Sequence, residues 1–408
     1  MNTDNLNLTR RVVVGVQFLF VAFGATVLVP LLVGLDPATA LFTAGIGTFI
    51  FHLVTKGKVP IFLGSSFAFI APIIAATKEW GLSGALAGTI GVSLVYFVMS
   101  ALVKWQGKHL LNRLFPPVVI GPVIILIGLT LSGAGVNMAK TNWLLAAISL
   151  ATAIIVLTFG KGLIKLVPVV CGIVVGYIVA ICLNEVNFIA VKEASWLALP
   201  PSLAHFHLPE LKWQAVLFMI PVAIAPVIEL IGDVYVVGAV AQKDFVKEPG
   251  LHRTLLGDGL ACLFASIFGG PPVTTYSEVT GAMSITKITS PAVIRISALT
   301  AVVFSVMGKL SALLQSIPQA VLGGIMLLLF GTIASVGVQN LIQHKVDLNQ
   351  TRNVIIISVT LTVGIGGAVL TWGNFTISGI GLSALVGVIL NLILPQTEVE
   401  KTEEEKEA

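Results

Sequence analysis

Three carboxylates stand where a carboxylate is costly. Glu229, Asp233 and Glu278 lie in apolar surroundings, in a chain of 408 residues of which 56% are hydrophobic and 10% charged. Glu229 and Asp233 occur in Pro226-Val227-Ile228-Glu229-Leu230-Ile231-Gly232-Asp233, four apart and therefore on one face of a helix. Glu278 ends the run Gly269-Gly270-Pro271-Pro272-Val273-Thr274-Thr275-Tyr276-Ser277-Glu278, which is poor in helix formers. No Lys or Arg sits at similar depth to neutralise the three. Such a group needs a purpose, and proton exchange near neutral pH is the one that carboxylates serve in coupled transport. Covalent chemistry has no comparable basis, because Walker, HExxH and nucleophile–base patterns are all absent. Cys171, Cys182 and Cys262 lie in apolar runs at no metal-like spacing, and the histidines form no metal pattern, so neither a metal nor a cofactor is expected. Asp258, nearer the end of its stretch, reads as solvated or structural; His52 and Arg295 read as side chains that snorkel to the surface.

The elements that position these groups are membrane helices. A soluble domain carries about 25% charged residues, and a mean hydropathy of +1.00 is what lipid contact permits. A span needs about 20 apolar residues. Candidate spans are 12–34, 38–55, 62–78, 83–103, 116–134, 142–159, 163–183, 214–240, 254–269, 276–288, 290–311, 318–338, 353–372 and 377–395, fourteen in all. The first, behind Arg10 and Arg11, continues past Pro30 and reads as a retained span rather than a cleaved leader. Under this assignment the loops divide the 23 Lys and Arg residues 18 to 5, which places both termini in the cytoplasm. The outer connection from Asn184 to Lys212 has room for a short interfacial helix, and the glutamate-rich segment 397–408 reads as a disordered cytoplasmic tail.

Fourteen spans divide into two sevens, and a seven-span repeat inserts its second copy upside down. Phe115-Pro116-Pro117-Val118-Val119-Ile120-Gly121 in span five matches Ile317-Pro318-Gln319-Ala320-Val321-Leu322-Gly323 in span twelve. The defective spans pair in the same way. Val59-Pro60-Ile61-Phe62-Leu63-Gly64-Ser65-Ser66-Phe67 opens span three, and the Pro271-Pro272 run opens span ten. Each predicts a short strand leading into a half-helix. Extended backbone at membrane depth must be buried in protein or line a cavity, and half-helix N-termini offer free N–H donors. A substrate site at the bilayer midplane between the two is the expectation.

The same segments resemble the nucleobase/ascorbate transporter (nucleobase:cation symporter-2) family, and within it the bacterial uracil:proton symporters. The resemblance runs from about Val13 to Leu394 and rests on Phe23-Gly24-Ala25-Thr26-Val27-Leu28-Val29-Pro30, Lys56-Gly57-Lys58-Val59-Pro60, Leu63-Gly64-Ser65-Ser66-Phe67-Ala68-Phe69, Asp244 through Arg253, and Thr274-Thr275-Tyr276. The family signature, Gln/Glu/Pro-Asn-x-Gly-x4-Thr-Lys/Arg/Gly, takes the form Glu278-Val279-Thr280-Gly281-Ala282-Met283-Ser284-Ile285-Thr286-Lys287. The resemblance implies an all-α membrane protein of 14 transmembrane segments in a 7+7 inverted repeat, with two short antiparallel strands in broken spans 3 and 10. It implies a core domain (1–114 and 213–316), a gate domain (115–212 and 317–396), and a homodimer in the bacterial inner membrane that moves its substrate by an elevator-like or rocking motion.

It further implies a nucleobase, uracil first, held by Glu229, Glu278, Phe67, Ser277 and Tyr276. The coupling ion would be a proton rather than sodium, carried by Asp233, Glu229 or Glu278. No nucleic-acid partner is expected. Asp233 stands where uracil carriers have a histidine, Phe330 where they have a tyrosine, Gln17-Phe18 where they have Gln-His, and Val279 where the signature has Asn. Asp at the span-eight position is similar to the xanthine and urate branch, so xanthine or another purine is the alternative substrate. A channel or anion exchanger of related architecture is the alternative class, and it would require a cation near the half-helices.

Overall fold

The computed structural model describes residues 7–107, 114–162, 164–204, 210–372 and 375–395. The expected tail at 397–408 lies outside these, as do His109, His205 and His207. Apolar runs bounded by Pro and Gly give the helices. α1 (Leu8–Val33) stops at Gly34, whose φ of 78° turns its N–H onto the Pro30 carbonyl. Asp36 then caps α2 (Pro37–Val54) by accepting from the Ala38 N–H at 2.7 Å. The strand β1 (Leu63–Ser65), a 3-10 turn (Phe67–Phe69) and α3 (Ile70–Gly88) follow, then α4 (Ile90–Gln106). Next come α5 (Pro117–Ala139), α6 (Trp143–Phe159) and α7 (Pro168–Cys182). The connection after α7 holds two helical turns, Ile189–Glu193 and Pro201–Ala204.

The second half runs α8 (Trp213–Met219), α9 (Ile224–Ala241), α10 (Leu251–Ile267), β2 (Val273–Thr275) and α11 (Ser277–Thr286). α12 (Pro291–Ser305), α13 (Gly308–Gln315), α14 (Gln319–Gln343), α15 (Thr351–Ile365), β3 (Val369–Trp372), β4 (Phe375–Ser378) and α16 (Gly379–Ile393) complete it. Among the described residues, six helical stretches are long and apolar enough to cross a bilayer, or seven if α12 and α13 count as one; α6, α7, α15 and α16 are apolar but shorter. The chain is a mostly helical, multi-pass membrane protein.

The two short strands pair antiparallel, Leu63 opposite Thr275, Gly64 opposite Thr274 and Ser65 opposite Val273. Around them the packing falls into two sets. α10 lies on α2 and α4, and α12 lies on α1 and α2. Separately, α5 lies along α14, with α6 and α7 beside α14 and α15 beside α5. Small residues bring the helices together. A Cβ on Gly337 would stand 2.6 Å from the Gly121 carbonyl, so α5 and α14 touch backbone to backbone.

Several expectations need correction. His52 does not snorkel: it is 3% exposed, with Nε2 3.0 Å from the Ile61 carbonyl, because the chain after α2 folds back over it toward β1. Asp258 is not solvated. It is fully buried, since Gly257 and Gly259 on either side let α10 close on Phe51 of α2 and Tyr96 of α4, at 3.0 and 2.7 Å from the missing Cβ atoms. The break between spans three and four falls at Gly81 (φ 72°), within α3, as the expected bounds 62–78 and 83–103 imply. Span eight is interrupted by a 3-10 turn at Pro221–Ala223, where proline lacks the N–H a helix needs. Span eleven bends by 83° between α12 and α13. The last two spans are separated by the β3–β4 hairpin, which an all-α reading omits.

Candidate functional site

The site forms where α9 meets the β2–α11 junction. Asp233, 6% exposed on α9, accepts from the Ser277 hydroxyl at 2.6 Å through one carboxylate oxygen and from the Thr275 hydroxyl through the other. Thr275 ends the strand and Ser277 begins the half-helix, so one carboxylate holds both sides of the break. Glu229 lies a turn earlier on α9, partly buried and within electrostatic reach of Asp233 and Glu278. Glu278 stands in the first turn of α11, where the helix N-terminus favours negative charge. Among the described residues no ion pair engages the three acids, and no group of His, Cys, Asp and Glu is arranged to hold a metal.

The strands themselves are pinned from several sides. The Tyr276 hydroxyl donates to the Ser65 carbonyl at 2.8 Å, and its ring fills the space that a side chain on Gly64 would need. The Ser65 hydroxyl donates to the Thr26 carbonyl of α1 at 3.0 Å, the Leu63 N–H to the Thr48 hydroxyl of α2 at 3.0 Å, and the Cys262 thiol to the Val273 carbonyl at 3.1 Å. Extended backbone at this depth is thus satisfied from α1, α2 and α10 as well as across the strand pair. Tyr276 is buried within this frame.

Phe67 opens the 3-10 turn after β1, and its ring meets Phe330 of α14 edge-on, centroids 6.1 Å apart. That contact joins the strand-bearing set of helices to the α5–α14 set. Ser277, Glu278 and Gly281 are exposed on α11, and a Cβ added at Gly232, Gly281 or Gly331 would meet no atom within 4 Å. Open space therefore borders Glu278 and the start of the half-helix, where carboxylates and helix N-terminal N–H groups are at hand. A flat, polar-edged heterocycle is the kind of ligand such a set can hold.

All six residues singled out from sequence fall in or beside this region. Ser277 bonds Asp233, Tyr276 supports the strands, and Phe67, Glu229, Glu278 and Asp233 are arranged as described. Thr275, Phe330 and Thr26 were not assigned a contact from sequence. Thr275 carried a signal: a hydroxyl at the last strand position, two residues before Ser277.

Two interrupted helices meeting at a two-stranded antiparallel ribbon define the fold class. The solved transmembrane domain of the cyanobacterium bicarbonate transporter BicA shares it, with TM-score 0.62 and 17% identity over 95% of this chain and 98% of that one. So does the murine anion transporter Slc26a9, with TM-score 0.69 and 10% identity over 95% and 68%. The Permease family model (Xan_ur_permease) matches residues 9–372. The chain is 47% identical over 406 residues to a probable uracil permease of Haemophilus influenzae, covering 97% of each. It is 45% identical to the uracil permease of Bacillus caldolyticus (97% and 96% covered) and 36% identical to that of Escherichia coli K12 (97% and 94%). The chain belongs to this permease family, and it is a transporter rather than an enzyme.

Proposed function

We propose that the chain is a proton-coupled nucleobase importer, with uracil as its substrate, working by alternating access. One observation carries the reading: Asp233 bridges the strand end and the half-helix start at an open space lined by Glu278. The names of the relatives supply the substrate class. In this reading Glu229 and Glu278 accept the ring N–H groups of the base, the half-helix N–H groups donate to its carbonyls, and Phe67 covers its face. Ser277 and Tyr276 hold the pocket's frame. Asp233, bonded by two hydroxyls, carries or tunes the coupled proton, with Glu229 and Glu278 as its electrostatic neighbours.

The wider arrangement follows the same reading: fourteen spans in a 7+7 inverted repeat, a core of residues 1–114 and 213–316, and a gate of 115–212 and 317–396. What supports it is that a helix lies within each of the fourteen apolar stretches, that β1 pairs with β2 at corresponding places of the two halves, and that the packing separates into two sets. A homodimer in the bacterial inner membrane, with both termini cytoplasmic, completes the proposal. The fold is shared with anion transporters, but the site presents carboxylates, and anion exchange would require a cation there.

Radiolabelled uracil uptake into proteoliposomes, with xanthine and bicarbonate as competitors, tests the substrate. Uptake of uracil with little competition by either is expected. Uptake of xanthine in place of uracil would reassign the substrate within the class.

A further inference from the structure

We propose that two chain segments crossing between the helix sets form a single strap, fixed to the strand-bearing set and hinged on the α5–α14 set, with Tyr177 of α7 as its latch. The proposal rests on the alternating-access reading above and adds where the moving parts divide. The first segment leaves α7 at Asn184 and carries the turns Ile189–Glu193 and Pro201–Ala204. The second is α13 with the residues on either side of it. The two bind each other through their backbones. The Ala198 N–H donates to the Val306 carbonyl at 3.0 Å, and the Gly308 N–H to the Trp196 carbonyl at 3.2 Å. A Cβ at Gly308 would stand 2.5 Å from the Ser195 carbonyl oxygen, so the close approach requires glycine. The Lys309 ammonium donates to the Val191 and Lys192 carbonyls at 2.8 and 3.0 Å, beside the Trp196 ring. These bonds straddle Val306-Met307, where α12 turns by 83° into α13, and fix that corner.

Both segments are then fastened to the start of α2. Asp36 accepts from the Ser311 hydroxyl at 3.0 Å through one oxygen and from the Gln315 amide at 2.8 Å through the other. The Thr39 hydroxyl, one turn on, donates to Ser202 of the first segment at 3.2 Å. α13 also packs on α2 and on the turn Ile189–Glu193. On the other set the attachments lie at the segment ends. Asn142, at the start of α6, donates to the Glu185 carboxylate at 2.7 Å, which holds the first segment to that set as far as residue 185. The second segment joins it at Gln319, where α14 begins. Residues 186–188 and 316–318 are therefore the joints. Tyr177 touches both: its hydroxyl lies 2.6 Å from the Ser316 hydroxyl, and its ring meets Phe188 edge-on, centroids 6.4 Å apart. One side chain of α7 closes the two joints together. Relative motion of the two helix sets leaves the Asp36 and Thr39 contacts in place and opens those of Tyr177.

Pulsed electron paramagnetic resonance of spin-labelled protein in nanodiscs tests this, at acidic and neutral pH and with and without uracil. The native cysteines are replaced by serine, and labels are placed pairwise at the exposed positions Leu144 of α6, Leu299 of α12 and Leu313 of α13, each changed to cysteine. The Leu144/Leu299 pair, which spans the two sets without the strap, should show two distances. Leu144/Leu313 should follow it, while Leu299/Leu313 stays single. Tyr177→Phe and Ser316→Ala should each shift the ratio of the two populations about fivefold, as loss of one hydrogen bond does, and the double variant should shift it no further. Two distances for Leu299/Leu313 overturn the strap and leave alternating access standing. A single distance for all three pairs under every condition overturns both. Population ratios that neither Tyr177→Phe nor Ser316→Ala moves overturn the latch.

Discussion

Asp233 accepts from hydroxyls on both sides of Tyr276, so its charge and the geometry of the β2–α11 junction are linked. In the proposed cycle, Asp233→Asn keeps the shape but removes the titrating group. It should lose accumulation driven by a pH gradient while equilibrative uracil exchange persists, which counterflow measures; gradient-driven accumulation equal to wild type would sink the role. Hydrogen bonds to a charged group are worth about 1.5–3 kcal/mol, so Glu278→Gln should weaken uracil binding by roughly ten- to a hundredfold, read by calorimetric titration. A different carboxylate gives a pH effect outside the spans. Lys58 pairs with Glu248 and holds its carboxyl below the usual range. A depressed folded value means the pair contributes above the ordinary carboxylate pKa of about 4.3 and is lost as pH falls through the lowered one. Glu248→Gln should therefore lower thermal stability slightly at pH 7 and not at all at strongly acidic pH.

At the scale of elements, β1 and β2 are held by contacts that their sequences alone do not disclose. Pro60 and the Pro271-Pro272 pair, followed by short apolar runs, made both breaks legible, because proline lacks the N–H a helix needs and clashes with its preceding turn. The register was not legible. It depends on Tyr276 lying over Gly64 and on donors from α1, α2 and α10, all distant in sequence. The β3–β4 hairpin escaped because Val369–Trp372 continues an apolar run without interruption, and the bend between α12 and α13 escaped for the same reason at Val306-Met307. The site residues were legible as types, whereas the division of labour between Ser277, Thr275 and Asp233 required the fold. Gly64→Ala should displace the Tyr276 ring and cost about 1–3 kcal/mol as overpacking. Tyr276→Phe, which removes only the bond to Ser65, should cost about 1 kcal/mol. Thermal unfolding in detergent separates them, and a Gly64→Ala variant as stable as wild type would contradict the packing described.

For the whole molecule, Phe67 against Phe330 marks a contact between two packed sets of helices, and Gly281 is open on α11. If these sets move as proposed, Gly281→Cys, in a background lacking the three native cysteines, should react with a maleimide in the reconstituted protein, and uracil should protect it. Labelling at the same rate with and without uracil would contradict a site beside Gly281.

The central claim is that this space carries a nucleobase together with a proton. Uracil uptake into proteoliposomes under an imposed inward proton gradient tests it most directly. The account predicts transient accumulation above equilibrium that a protonophore collapses and that Asp233→Asn lacks. Uptake that reaches the same level with and without the gradient, indifferent to the protonophore, would contradict it.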